Sequence, residues 1–530
     1  MTRAMTKVAL PAAVRTMSAA GLLFVVACTA ARPAPSSAPE SRRPEPVPPV
    51  LLPAATVTLP PSDRDRIREL ADSALRAPMW NNARWGMLIV DVASGDTVFS
   101  HDADKLFMPA SNQKLLTGAI ALQHLGPDFR WRTPVLLRGR QRGSVWDGDL
   151  LIVGSGDPSF SDTLRGGDAA SAFDPIATAL AARGIKRIAG AVRSSGDAFT
   201  GPTTGFGWEL DDLDASYGAP VDELMFNEGE LRIRVRSGSG SGAPVSIVRR
   251  SPARYPRILN RAVTRDSATR APRLRAEYDT IAGAVVVTGT LVHGDSAVLT
   301  LSYRHPTDAV LAELSARVAA AGIVVRGDSL RLAEEAGVDT LVVLESAALS
   351  TVLRRMQKPS QNQIAELLFR TSGLFVSGSG DADSARAVGA RTLSAWGVQN
   401  EDVAYRDGSG LSRHDYVTPR GVVRVLDAMR KSAWFDAYRS ALPLAGVDGT
   451  LRSRMRGTTA ASNAQAKTGT VDKARALSGY VTTADGRLVM FSMLANNFTV
   501  PNREVERLQD LLVVALANAR LGGATGEPAR

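Results

Sequence analysis

Ser111 and Lys114 stand one helical turn apart, and together they can form a nucleophile with its base. A serine hydroxyl attacks an acyl carbon only when a neighbouring group takes its proton. Residues i and i+3 of a helix share a face, so the Lys114 amine can reach the Ser111 hydroxyl. Arg cannot give up a proton in a protein, whereas Lys can when its surroundings lower its pKa. That difference matters in this chain, where eight of the 63 Lys and Arg residues are Lys. Ser111-Asn112-Gln113-Lys114 is the only Ser-x-x-Lys in the sequence, and two more elements follow in order: Ser360-Gln361-Asn362 and Lys467-Thr468-Gly469-Thr470. A second cation such as Lys467 near Lys114 would depress the amine pKa and favour a neutral base. The chemistry open to this set is acyl transfer through a serine ester. A helix start at Ser111 would also aim backbone N–H groups at the oxyanion of that step.

The elements that must hold these residues lie at both ends of the body. Ser62 or Asp63 can cap a helix running to Leu75, with Ile67, Leu70 and Leu75 as its apolar stripe. Trp85–Val92 alternates like a strand, Ala93-Ser94-Gly95-Asp96 turns, and Thr97–Ser100 returns. A helix is predicted over Ser111–Leu125. Leu477–Thr483 and Arg487–Leu494 flank Ala484-Asp485-Gly486 as a second hairpin, and Glu504–Ala519 reads as a closing amphipathic helix. Between about 130 and 345 short strands and Gly/Ser loops dominate, including the tract 237–242, which reads as a flexible loop. A weak echo runs through this segment. Ala182-Arg183-Gly184-Ile185 and Ala321-Gly322-Ile323 each end a helix and lead into a short run toward Gly190 or Gly327.

A chain of 530 residues is too long for one core. The net charge of +10 comes from scattered Arg without a nucleic-acid module. The N-terminus reads as an export signal: Arg3, Lys7 and Arg15 precede an apolar run, Met17–Ala27, too short to span a bilayer comfortably. It ends in Val25-Val26-Ala27-Cys28, similar to the lipobox of bacterial lipoproteins, and Cys28 is the only cysteine. Residues 29–61 are a proline-rich tether. The five histidines show no His-Glu-x-x-His spacing, and no phosphate-binding Gly-x-x-x-x-Gly-Lys-Ser/Thr loop is present, so no metal or organic cofactor is expected.

The ordered trio resembles the penicillin-binding proteins and serine β-lactamases. The wide gap between its first two motifs resembles the class C low-molecular-mass penicillin-binding proteins, the D-alanyl-D-alanine carboxypeptidase/endopeptidase family (serine peptidase family S13). Gly156-Asp157-Pro158, Tyr217-Gly218-Ala219-Pro220-Val221, Asn227-Glu228, Asn362-Gln363-Ile364-Ala365-Glu366, Asp407-Gly408-Ser409-Gly410-Leu411-Ser412-Arg413 and Gly449-Thr450-Leu451 match it as well. The resemblance implies an α+β fold: a β-lactamase-like transpeptidase domain, an antiparallel sheet flanked by helices, with two smaller inserted domains. The boundaries expected are 1–28 signal peptide, 29–61 tether, 62–130 plus 345–520 catalytic domain, 131–344 inserted domains II and III, and 521–530 tail.

The resemblance also implies roles. Ser111 would be the nucleophile and Lys114 its base. Ser360 would relay the proton to the departing D-alanine, and Asn362 would hold Lys114 and the substrate amide. Lys467 with the hydroxyls of Thr468 and Thr470 would bind the terminal carboxylate beside Gly469, and the Thr470 N–H would be the second oxyanion donor. Arg413 and an acid, Asp211 or Asp212, would form a pocket for the free end of a peptide stem; Trp208-Glu209-Leu210-Asp211-Asp212-Leu213 departs here from the family's usual Trp-Asp-Asp-Leu. Peptidoglycan stem peptides are the implied substrate, β-lactams the implied covalent inhibitors, and a lipid on Cys28 the implied anchor at the periplasmic face of a bacterial membrane, with the outer membrane favoured. Two other readings remain: a β-lactamase or esterase of the same fold, and a non-catalytic wall-binding scaffold lipoprotein.

Overall fold

The computed structural model describes residues 62–266, 272–327 and 337–522. The Cys28 lipobox, the tether and most of the 521–530 tail lie outside the described residues.

The two ends of the body build one antiparallel sheet of five strands, in the order Gln465–Val471, Ala474–Thr482, Leu488–Asn496, Arg84–Asp91 and Thr97–His101. Alternation sorts each strand between two cores. Met87, Ile89, Leu477, Phe491 and Met493 face the helices Asp63–Leu75 and Asn502–Asn518. Leu88, Ala476, Tyr480, Met490 and Leu494 face the opposite layer. That layer is built from the helices Gln113–Leu125, Leu349–Gln357, Asn362–Ser377, Ala382–Ala395, Pro419–Lys431 and Phe435–Ala441. Ser62 caps the first helix, its hydroxyl accepting from the Asp65 N–H as an N-cap residue should. Gln113–Leu125 is apolar on most sides and buried from Gln113 to Leu122, so this central helix is fixed from every direction.

The chain leaves this body along Arg132–Arg142 and returns along Val338–Glu345, and the two strands pair antiparallel with Arg132 opposite Glu345. They belong to a six-stranded sheet with Val145–Val153, Val192–Ser195, Arg187–Ile188 and Val324–Val325, over a core of its own that includes Leu137, Ile152, Phe173 and Leu314. The sequence echo has a structural counterpart. The strands following the helices Asp174–Ala182 and Pro306–Ala320 lie side by side and parallel, and the Gly327 N–H donates to the Gly190 carbonyl at 3.0 Å. Among the described residues, three smaller sheets complete the middle segment.

Candidate active site

Ser111 sits on a short 3-10 turn, Ala110–Asn112, that runs into the buried central helix. This turn is pressed from two sides. Gly410 (φ +79°) lies so close that a Cβ there would stand 1.9 Å from the Ala110 carbonyl oxygen, and a Cβ on Gly469 would stand 2.5 Å from that of Pro109. Asn112 ties the turn to the sheet edge, its amide donating to the Lys467 carbonyl at 2.9 Å. Ser360 occupies the link between Leu349–Gln357 and Asn362–Ser377 with φ +66°, a backbone held by the Gln361 N–H on the Met356 carbonyl at 2.8 Å. Such left-handed geometry in a non-glycine residue is strained and marks a position fixed by its surroundings.

These elements bring the three motifs to one point. The Lys114 Nζ lies 2.8 Å from Ser111 Oγ, 2.7 Å from Asn362 Oδ1 and 2.7 Å from the Ser409 carbonyl oxygen. A neutral amine has two N–H bonds and one lone pair. Donation to Asn362 and Ser409 leaves that lone pair directed at the Ser111 hydroxyl. Lys467 reaches Ser360 Oγ at 2.8 Å and the Thr468 carbonyl at 2.9 Å. The Thr468 hydroxyl donates to Thr450 at 2.7 Å. Ser111, Ser360, Asn362, Thr468 and Thr470 line one cleft of about 620 Å³.

Burial sets the electrostatics. It drives the Lys114 amine down to about 7, against the carboxylates of Asp407, Glu366 and Asp415, which favour the cation. Burial and then the Lys114 charge carry Lys467 well below the usual lysine range. The three carboxylates are themselves buried. Burial and the Asp407 charge push Glu366 up to about 8, and burial and Asp407 raise Asp415 well above the ordinary Asp range.

Comparison with known proteins gives this geometry a family. Residues 67–519 match the model of the D-Ala-D-Ala carboxypeptidase 3 (S13) family. The chain belongs to this family of serine-type D-Ala-D-Ala carboxypeptidases. It is 32% identical over 469 residues to the D-alanyl-D-alanine carboxypeptidase of Actinomadura sp. (strain R39), covering 85% of this chain and 84% of that one. Identity to the D-alanyl-D-alanine carboxypeptidase DacB of Haemophilus influenzae is 25% over 448 residues, 82% of this chain and 89% of the relative. The crystal structure of penicillin binding protein 4 (dacB) from that organism superposes with a TM-score of 0.70 at 23% identity, covering 85% of this chain and 99% of that one, which shows the fold. The α+β architecture expected from the sequence is therefore this chain's own.

The Arg413 guanidinium of this S13 chain has an acidic partner outside the expected pocket acids Asp211 and Asp212. Glu209, not Asp211, meets the Arg413 guanidinium, at 3.1 Å. Glu209 leads into the 3-10 turn Leu210–Asp212, where i and i+3 eclipse, so residues 209 and 212 face one way and Asp211 another. Asp211 is exposed, whereas Asp212, the other candidate, lines the cleft and accepts from the Tyr217 hydroxyl at 2.8 Å. Arg413 also donates to the Asp472 carbonyl at 3.0 Å and lines the cleft.

Tyr217, Trp208 and Asp407, to which the sequence motifs assign no role, also reach the site. Asn362 and Gln363 donate to the Tyr217 carbonyl at 2.8 and 3.1 Å, so the middle segment touches the Ser-x-Asn motif directly. Trp208 donates its indole N–H to Asp407 at 2.9 Å. The runs containing Tyr217 and Asp407 were visible as motifs, but a backbone carbonyl acceptor leaves no trace in residue types.

Proposed function

We propose that Ser111 is the nucleophile of this carboxypeptidase and Lys114 its base. The observation that carries this is the convergence of Ser111 Oγ, Asn362 Oδ1 and the Ser409 carbonyl on a buried, neutral-leaning Lys114 Nζ. Ser111 Oγ attacks the carbonyl carbon of the penultimate D-alanine of a peptidoglycan stem ending in D-Ala-D-Ala, and its proton passes to Lys114. The C–N bond to the last D-alanine breaks as its nitrogen is protonated through Ser360, which Lys467 holds by a hydrogen bond. Water then attacks the ester, releasing the shortened stem and free Ser111. Asn362 holds Lys114 and the substrate amide, while Lys467 with Thr468 and Thr470 receives the terminal carboxylate, and Gly469 lets the strand approach the nucleophile turn.

Strand alternation supports Thr470 as an oxyanion donor. The Ala466 N–H points off the sheet to the Pro443 carbonyl at 3.0 Å, and a period of two sends the N–H groups of Thr468 and Thr470 to the same free side. Arg413 and Asp212 form the pocket for the free stem end, and cross-linked stems enter the same site for D,D-endopeptidase cleavage. β-Lactams acylate Ser111. Residues 62–130 and 345–520 make the acyl-transfer domain around inserted domains 131–344, a division supported by the pairing of Arg132 with Glu345. The lipobox ending at Cys28 and the proline-rich tether support an exported, lipid-anchored enzyme at the periplasmic face of a membrane.

Labelling the full chain and its Ser111→Ala variant with a fluorescent penicillin tests this reading. A stable band lost in the variant supports it. Drug hydrolysis dependent on Ser111 without a stable band points to a β-lactamase. Absence of both the band and drug hydrolysis from folded protein overturns this reading.

A further inference from the structure

The Asp407 carboxylate is an unusual centre for a turn. Its Oδ1 accepts from the N–H groups of Ser409 and Gly410 at 3.0 and 2.6 Å. Its Oδ2 accepts from the Ser412 N–H at 2.7 Å, the Ser409 hydroxyl at 3.4 Å and the Trp208 indole N–H at 2.9 Å. Donors to a buried carboxylate make strong, charge-assisted hydrogen bonds, so they fix the turn's shape. The turn is clamped from its other side as well. Glu366 accepts from Gly408 and Ser409 N–H, and Thr117 donates to the Gly408 carbonyl at 2.7 Å. What the turn presents to the reaction is the Ser409 carbonyl, one of the three partners of Lys114. Four of the five donors to Asp407 come from within residues 409–412; the fifth, Trp208, comes from the segment between the first two motifs.

We infer that Trp208 is a positioning residue for acylation: its indole N–H holds Asp407, and through it the Ser409 carbonyl, in the place that aims Lys114 at Ser111. The middle segment is thereby part of the catalytic wall. The inference rests on Lys114 being the base. Trp208 lies outside the residues that line the Ser111 cleft, and the hydrogen-bond partners of Lys114 are Ser111, Asn362 and Ser409; the Trp208 ring packs beside Phe199, Val221 and Leu367. Packing and donation can be separated by chemistry. Phe keeps a ring but has no N–H. His has a five-membered ring whose Nε2 is placed from Cγ as Nε1 is in Trp, so it returns the donor while losing the larger ring.

The test is the acylation kinetics of full-length wild type, Trp208→Phe and Trp208→His with a fluorescent penicillin, resolving non-covalent affinity from the rate of ester formation, with thermal melting of each. Loss of one hydrogen bond to a charged group predicts ester formation about 10-fold slower in Trp208→Phe at unchanged affinity and full final stoichiometry. Trp208→His should recover most of the rate even where its melting temperature falls. A Trp208→Phe protein as fast as wild type overturns the inference. So does a Trp208→His protein as slow as Trp208→Phe, because packing would then be the cause. Wild type that is never acylated overturns the reading of Ser111 and Lys114 itself, which is a different result from any variant effect.

Discussion

Lys114 Nζ lies 2.8 Å from Ser111 Oγ inside a protein core that leaves the amine no solvent. An ammonium ion there would lose its hydration, so the geometry favours a base. Lys114→Arg keeps the positive charge but cannot accept a proton. Penicillin labelling should therefore fall by at least about 100-fold, the usual scale of general-base contributions. Retained labelling in a folded Lys114→Arg protein would remove Lys114 from that role.

The proposed base also predicts a pH dependence. Burial brings Lys114 down to about 7, and a base works only unprotonated, so the acylation rate should rise as pH passes upward through about 7. The sign is fixed: below that value Lys114 holds its proton and cannot take another from Ser111. Second-order labelling rates measured across this range, with circular dichroism at each pH, check it. A flat profile in folded protein would show that the titrating base lies elsewhere.

Gly410 should tolerate no side chain. Its φ of +79° disfavours any L residue, and a Cβ would stand 1.9 Å from the Ala110 carbonyl oxygen beside Ser111. Gly410→Ala must therefore move either the Ser409 carbonyl or the Ser111 turn. The expected result is a folded protein whose labelling rate drops by at least about 10-fold, since small displacements of reacting groups have large rate effects. Wild-type labelling by Gly410→Ala would mean that the two turns yield independently.

The two hairpins of the five-stranded sheet were legible because apolar runs flank turns that carry Gly and Asp, as before Thr97–His101 and around Gly486. The three motifs were legible because the groups that meet at the cleft are side chains of distinctive type. The middle segment was less so. Strands as short as Arg187–Ile188 are too brief for a period to show, and tertiary pairing alone defines them. Asp211 was a reasonable partner for Arg413 by composition, yet a single 3-10 turn decides which acid faces the guanidinium. The cluster of Glu366, Asp407 and Asp415 was hidden for a related reason, because these acids meet only when the helix Asn362–Ser377 packs on the 407–415 loop.

Arg355 offers a test of how firmly the middle segment is seated. Its guanidinium makes two hydrogen bonds, at 2.8 and 2.7 Å, to Glu228, a buried acid that also accepts from Ser161 and Thr163. Arg355 lies on the helix Leu349–Gln357, which leads directly to Ser360. Burial, the largest single influence, would raise the Glu228 pKa, but the Arg355 bonds and charge together with the Ser161 and Thr163 bonds outweigh it and hold the acid below its ordinary value. An acid with a lowered native pKa contributes stability above its unfolded value, and that contribution fades as pH falls through the folded one. Arg355→Ala leaves the buried carboxylate without its cation and should destabilise the protein by about 3 kcal/mol at neutral pH. Acidification should shrink the gap between variant and wild type, because protonated Glu228 no longer needs the guanidinium. Denaturant unfolding of both proteins at neutral and acidic pH measures this. A difference that does not narrow on acidification would assign the loss to packing of the Arg355 side chain instead of its charge.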